Sequence, residues 1–330
     1  MKQLWKKWSI ITLIMTMAIL AGCGVNGTDT NKQSSGEVNE SAANEVQGTE
    51  GKQFPVTIKD ETGEEIVIEA EPESIISLQA SSTEISYALG LGDKMVGVSD
   101  YCNYPQEALE IEKVGAQDMN VERILTLLPD IALVTDYHLE THAEILSQFE
   151  EAGITVIVIG SETSFDDVYE TIDLIGTATG KKAEAKELVS DMKERLETVK
   201  EKAKSVTDKK KVWVEVSPAP DIFTTGQGTF MHEMLESIQA ENAAGDQEGW
   251  VKMTEEEIVQ LNPDVIVTTY GYYVESPKET VMARNGWAEV PAIKSGEVHD
   301  VDSDMVTRPG PRLIEGVETL AKIVYPEIFN

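Results

Sequence analysis

Cysteine is almost absent from this chain: only Cys23 and Cys102 occur in 330 residues. No framework of several disulfides is possible, so a hydrophobic core has to hold the fold. Arginine is scarce as well, limited to Arg123, Arg195, Arg284, Arg308 and Arg312, and the formal net charge is -32. That balance argues against nucleic acid or an anionic lipid surface as a partner, and a solvated acidic surface accounts for most of the carboxylates. No Gly-x-Ser-x-Gly elbow or phosphate-cradling loop is present, and Gly226-Gln227-Gly228 lacks the further glycine of a dinucleotide site. His138 and His142 flank Glu140, but His-x-Glu-x-His is not the His-Glu-x-x-His of zinc hydrolases, and His232 and His299 lie far away in sequence. A metal-dependent hydrolase or a three-histidine metal binder therefore has no local spacing behind it. After the N-terminus, no apolar stretch reaches membrane-spanning length.

What is present begins with Lys2, Lys6 and Lys7 ahead of an apolar run from Ile10 to Leu20, the layout of a secretory signal over residues 1–22. The run closes on Leu20-Ala21-Gly22-Cys23, which resembles the lipobox of bacterial lipoproteins and implies lipidation of Cys23. Residues 24–52 hold few large apolar side chains and are rich in Gly, Ser, Thr, Asn, Gln and Glu, too polar to bury a core of their own. The expectation is a tether over 23–52, followed by about 280 residues, enough for two globular units.

Short β-branched runs alternate with helical patterns, the mark of α/β lobes with largely parallel sheets. Val56–Ile58 and Ile66–Ile68 predict an opening hairpin. Strands are predicted at Ile75–Ser77, Met95–Val98, Ile131–Thr135, Thr155–Ile159, Val212–Val216, Val265–Thr269 and Val298–Val301, with a last helix from Pro311 to Val324. Between the two sets, Ala185, Leu188, Val189, Met192, Leu196, Val199 and Ala203 recur at three- and four-residue spacing, which predicts one helix over 181–206. At 1.5 Å per residue it would run roughly 35 Å, enough to lie along both lobes. The expected organisation is a lobe at 53–180, the connecting helix, and a second lobe at 207–330.

The second half echoes the first. Met119, Asn120, Glu122, Ile124, Leu127, Pro129 and Asp130 align with Met253, Thr254, Glu256, Ile258, Leu261, Pro263 and Asp264 at a constant offset of 134 (256 minus 122), and only the Asn/Thr pair differs. Asn120 and Thr254 are good N-caps, and a first-turn glutamate complements the helix dipole. That complement accounts for an acid at each place without requiring two matched ones. Aromatic residues Tyr101, Tyr104, Tyr137, Phe223, Trp250, Tyr270, Tyr272 and Tyr273 fall in loops after strands, where they suit the walls of a ligand cleft. Arg308 stands beside a stiff Pro-Gly-Pro segment as a directing group, with Asp304 near it, while Arg312 reads as a structural ion-pair partner. Ser81 and Glu84 form an S-x-x-E pattern that would start a helix.

Taken together, the stretch Ile75 to Glu84, the segment Val96 to Pro105, the paired Glu122 and Glu256 helices, and Arg308-Pro309-Gly310-Pro311-Arg312 resemble the cobalamin, haem and ferric-siderophore family of substrate-binding proteins of ABC importers. The resemblance covers roughly residues 53–328. It implies two lobes joined by a long backbone helix, a ligand cleft between them, and a binding rather than catalytic role without cofactor or bound metal. It also implies that Glu122 and Glu256 dock onto arginines of a permease dimer with its ATPase. By likeness to the cobalamin-binding branch, Ser81, Tyr101, Phe223, Trp250, Asp304 and Arg308 match its ligand contacts. Ala80 in place of a proline, and the lack of tryptophan over Gly115–Asp118 and at Thr135, depart from that branch. Haem, with Tyr101 as axial donor, and a ferric siderophore on Arg308 are therefore the alternatives. The remaining expectations are a monomer outside the cell membrane, tied to it by the lipid on Cys23 alone.

Overall fold

The computed structural model describes residues 53–330, so the expected signal segment, Cys23 and the tether lie outside the described residues. In the first lobe, β1 (Val56–Lys59) and β2 (Glu65–Ile68) form the predicted hairpin. β3 (Ile75–Ser77), β4 (Met95–Val98), β5 (Ile131–Thr135) and β6 (Thr155–Ile159) then pair in parallel in the order β4-β3-β5-β6. Their side chains are buried almost without alternation, because a parallel sheet is covered on both faces. The covering helices are α1 (Ala80–Ala88), α2 (Val121–Leu127), α3 (Asp136–Glu151) and α4 (Phe165–Ala178).

After α5 (Lys182–Ala203), the second lobe runs β7 (Lys211–Glu215), β8 (Phe223–Thr225), α6 (Phe230–Ser237), β9 (Glu241–Asn242), β10 (Trp250–Lys252) and α7 (Glu255–Leu261). It continues with β11 (Val265–Thr268), α8 (Pro277–Met282), α9 (Pro291–Ser295), β12 (Val298–Asp300), α10 (Ser303–Thr307), α11 (Leu313–Val324) and α12 (Pro326–Phe329). Its four-stranded sheet is parallel in the order β9-β7-β11-β12. Each lobe thus places its second strand outside its first, followed by the third and fourth.

The 134-residue echo is therefore topological. Leu128 and Asn262, one offset apart, both end their helices in the left-handed region. Asp130 Oδ2 accepts the Ser74 N–H at 2.9 Å, and Asp264 Oδ2 accepts the Lys211 N–H at 2.9 Å. The repeated Pro-Asp thus ties each third strand to the start of the first.

α5 is one helix of 22 residues that joins the lobes. Against α4 it packs so closely that a Cβ on Gly176 would collide with the Ala185 Cβ. On the other lobe its Arg195 donates to both Glu318 carboxylate oxygens of α11, at 3.0 and 3.1 Å. The largest apolar core is continuous through Ile85, Ile172 and Met192 into Val214, Leu313 and Val317. No helix among the described residues is long and apolar enough to cross a membrane.

Two expectations need correction, and three short strands were not foreseen. α1 begins at Ala80 with Gln79 at the N-cap, so Ser81 and Glu84 are not a capping box. The Glu84 carboxylate is drawn instead into an ion cluster described below. α11 begins at Leu313 after Arg312, two residues later than predicted, because the Leu313 N–H closes a turn onto the Gly310 carbonyl. Finally, β8, β9 and β10 have three residues or fewer, too short for a period-2 pattern to register.

Candidate functional site

The carboxyl ends of the two sheets meet. Asn103, in the connection after β4, donates through Nδ2 to Asp304 Oδ2 at 2.8 Å, and its Oδ1 accepts from Arg308 Nη1 at 2.9 Å, both in the connection after β12. A crevice beyond the carboxyl ends of parallel strands is where α/β folds place ligands. The base of this crevice is sealed by charge. Glu84, on α1, accepts from Arg312 Nε at 2.8 Å and Nη2 at 2.7 Å, and from Arg308 Nη1 at 2.6 Å. Arg308 Nη2 reaches Asp304 at 2.8 Å. The Glu84 side chain is only 2% exposed, so all of its acceptor capacity is spent inside the protein. Burial works against the Arg312 charge, but the hydrogen bonds and charge of Glu84 raise its pKa above the ordinary arginine value. Arg312 also stacks on the Tyr104 ring, 4.1 Å from its centroid.

Arg312 is therefore structural, as expected. Arg308 and Asp304, expected to direct a ligand, are brought together but committed to each other and to Glu84 and Asn103. Ser81 is buried with an unpartnered Oγ, and its Cα and carbonyl lie beneath Gly310. Glu84 and Asn103 were not read as members of a site. Their partners are 224 and 205 residues away, and no sequence spacing carries that signal.

The aromatic residues behave differently. Tyr101 is 70% exposed and Trp250 is 55% exposed. β8 and β10 form a small antiparallel ribbon with Thr225 opposite Trp250 and Lys252 opposite Phe223. Opposed residues share a face, so Phe223 and Trp250 stand diagonally on one side. Tyr272 and Tyr273, after β11, are also exposed and meet edge to face at 4.7 Å. Beneath that loop lies a second buried charge cluster. Glu215, at the end of β7, accepts from Tyr270 Oη at 2.6 Å and from Arg284 at 2.8 and 2.5 Å. It anchors the start of the tyrosine-bearing loop. Cys102 is buried against Thr83, and burial pushes its thiol pKa up, which makes it inert.

The histidines of α3 fasten a loop. His138 Nδ1 accepts the Thr135 N–H at 3.1 Å, so Nε2 carries the proton and donates to the Ala116 carbonyl at 2.8 Å. His142 Nε2 sits 3.1 Å from the Gln117 carbonyl. Both rings are thus occupied by the loop over Gly115–Asp118, and among the described residues no group of three or more His, Cys, Asp or Glu is arranged to hold a metal.

Glu122 and Glu256 occupy the same position in their helices, and both are exposed with no ion-pair partner among the described residues. In α2 the cap is Asn120, whose Oδ1 accepts the Arg123 N–H. In α7 the reciprocal cap to Thr254 is Glu257, at 2.8 Å, not Glu256. Neither matched glutamate is used by its own cap.

Residues 75–305 match the model of the periplasmic binding protein family. The chain is 46% identical over 322 residues to YvrC, an uncharacterised ABC transporter substrate-binding lipoprotein of Bacillus subtilis, with 96% of each chain covered. It is 30% identical over 248 residues to the vitamin B12-binding protein of Vibrio cholerae, covering 74% of this chain and 87% of that one. Among solved structures, a possible iron-binding periplasmic solute-binding protein of Staphylococcus epidermidis superposes with a TM-score of 0.69 at 33% identity, over 77% of this chain and 99% of that one. With two matching parallel-sheet lobes joined by one long helix, the chain belongs to the periplasmic binding protein family.

Proposed function

We propose that this protein is the solute-binding lipoprotein of an ABC importer, anchored through Cys23, and that it captures a cobalamin-type corrinoid in the cleft between its lobes. One observation carries the choice of ligand. Every arginine of the chain is engaged by a carboxylate: Arg123 by Glu112, Arg195 by Glu318, Arg284 by Glu215, and Arg308 and Arg312 by Glu84. Lys113, near Tyr101, is spent on the backbone carbonyls of Ser99 and Cys102. A cleft walled by the exposed Tyr101, Phe223 and Trp250 would therefore offer rings without an uncommitted guanidinium. That suits a large macrocycle with amide substituents better than haem propionates or an anionic ferric siderophore, which need cationic partners. The vitamin B12-binding relatives support the same reading. Haem stands as the second reading because the exposed Tyr101 phenol is available as an axial donor.

Delivery follows from Glu122 and Glu256. Each lobe presents one unpaired carboxylate at equivalent places, and a two-lobed protein meeting a two-fold permease needs matched contacts of that kind. Titration calorimetry with cyanocobalamin and with haemin tests the ligand: saturable one-to-one binding of the corrinoid is expected, and preferential binding of haemin overturns it. The double variant Glu122→Arg, Glu256→Arg should bind cyanocobalamin normally yet abolish its uptake by cells. Normal uptake at normal expression would end the docking reading. Cys23→Ala should lose incorporation of labelled palmitate, and retained label would remove the anchor.

A further inference from the structure

His138 stands where a capping box ordinarily has glutamate or glutamine. Thr135 is the N-cap of α3, and His138 is the third residue of the helix. The residue is 2% exposed, its Nδ1 accepts the Thr135 N–H at 3.1 Å, and the Thr135 hydroxyl lies 2.7 Å from the same nitrogen. A carboxylate would complete that cap and do nothing more. The imidazole has a second nitrogen, and Nε2 donates to the Ala116 carbonyl at 2.8 Å. One ring thus ties the carboxyl end of β5 to the Gly115–Asp118 turn. That turn has little freedom of its own, since Gly115 has a φ of +91° and a Cβ there would collide with the Asp118 carbonyl.

The turn in its place holds the loop that carries Tyr101. The Val114 N–H donates to the Val98 carbonyl at 3.0 Å, the Gly115 carbonyl accepts the Asp100 N–H at 3.2 Å, and Lys113 Nζ donates to the Cys102 carbonyl at 2.9 Å. Residues 113–115 therefore run beside 98–102 beyond the end of β4, and Tyr101 lies between two points of attachment. We infer that His138 is a positioning residue for ligand capture: its neutral ring fixes the Gly115–Asp118 turn and through it Tyr101, and a second proton on the ring frees both. The inference rests on the reading of Tyr101 as a wall of the cleft.

The physical reason is the donor count. A protonated imidazole carries N–H on both nitrogens, so Nδ1 would face the Thr135 N–H donor to donor. Among its neighbours, Asp136 favours the charged ring and His142 opposes it, the Tyr137 ring lies edge-on at 5.9 Å, and the turn adds only Asp118, which is exposed. His142 cannot act the same way. It uses Nε2 alone, 3.1 Å from the Gln117 carbonyl, and that contact survives protonation. Burial holds the His138 pKa below its ordinary 6.5, so the neutral clamp is complete above that value and is lost as pH falls through the folded one.

The test compares purified full-length wild type, His138→Gln and His138→Ala between about pH 8 and about pH 5, the span that a histidine clamp crosses. Glutamine offers an acceptor and a donor like the neutral ring but does not titrate. Amide hydrogen exchange, expressed as protection factors to remove its intrinsic pH dependence, reads the clamp, and calorimetry with cyanocobalamin reads the ligand. In wild type, acid should lower protection over 99–104 and 115–118 and weaken cyanocobalamin roughly five- to tenfold. His138→Gln should keep both at either pH, and His138→Ala should be weak at both. Tyr101→Ala should cost less affinity when added to His138→Ala than alone, because coupled residues are not additive. An equal acid loss of protection in His138→Gln, or none in wild type, overturns the inference, and so does lost protection with unchanged affinity. Cyanocobalamin that fails to bind at any pH ends the corrinoid reading instead, and the exchange pattern then decides the clamp by itself.

Discussion

Replacing Glu84 with alanine should destabilise the protein more than any surface change, because two guanidiniums depend on one buried carboxylate. Glu84 accepts three hydrogen bonds, two from Arg312 and one from Arg308, in a setting where the three side chains are 2%, 9% and 13% exposed. After removal, Asp304 is the nearest remaining acid, 2.8 Å from Arg308 and 3.5 Å from Arg312, and it cannot neutralise both. Breaking a buried pair on one side costs about 3–5 kcal/mol, since the stranded charge loses its partner without regaining water. In a chain of this size each kcal/mol moves the melting temperature by about 2–4 °C. A fall of roughly 6–20 °C is therefore expected in thermal unfolding followed by circular dichroism. The contact also bridges the lobes, so small-angle scattering should show a larger radius of gyration for the variant. The double change Glu84→Leu, Arg312→Met should recover much of the loss, because apolar replacement of a whole buried pair is often near neutral. A shift of under about 2 °C in Glu84→Ala, a small fraction of that worked range, would refute the reasoning.

Two buried groups should tilt the pH dependence in opposite directions. Burial pushes the Glu162 carboxyl from an ordinary value near 4.5 up to about 7. Between those values the folded chain holds a proton that the unfolded chain releases, so stability declines as pH rises from 4.5 through 7. Glu162→Gln should accordingly gain about 2–3 kcal/mol at pH 8 and little at pH 4.5; no gain at pH 8 contradicts this. His138 is lowered, chiefly by burial, below its ordinary 6.5, so its share of stability is complete above that value and is lost as pH falls through the folded one. In His138→Gln the acid-side slope of unfolding free energy should flatten, and an unchanged slope argues against the neutral clamp. In the cleft, Trp250→Ala and Tyr101→Ala should each weaken cyanocobalamin binding by about 1–3 kcal/mol with unchanged melting. Full affinity in both by calorimetry moves the site elsewhere.

The sequence was most legible where a local rule decides structure. β3 through β6 were placed to the residue because buried parallel strands are continuous β-branched runs. α5 was placed because its apolar stripe keeps helical period over 22 residues. The Asn120 and Thr254 caps were readable because each acts on the N–H three residues further on, whereas the repeated Pro-Asp was legible only as a repeat, since Asp130 and Asp264 bind backbone 56 and 53 residues away. The echo likewise foretold two lobes, since a repeated segment folds by repeated rules.

Tertiary structure alone decided what Glu84, Arg308 and Glu215 do. An S-x-x-E pattern specifies a capping box only if the carboxylate has nothing better to bind, and the folded chain brings Arg312 to Glu84 from 228 residues away. Two guanidiniums in a buried site outweigh a backbone N–H at a helix start. The same approach engaged Arg308 with Glu84, Asn103 and Asp304, and paired Glu215 with Arg284 and Tyr270 across 69 and 55 residues. The sequence by itself determined the longer strands and helices and that they come in two sets, because hydrophobic period is local and needs several residues to show. Which charges are spent inside the protein, and which rings and carboxylates are left for a ligand or a partner, was decided only when the strand ends of the two lobes came face to face.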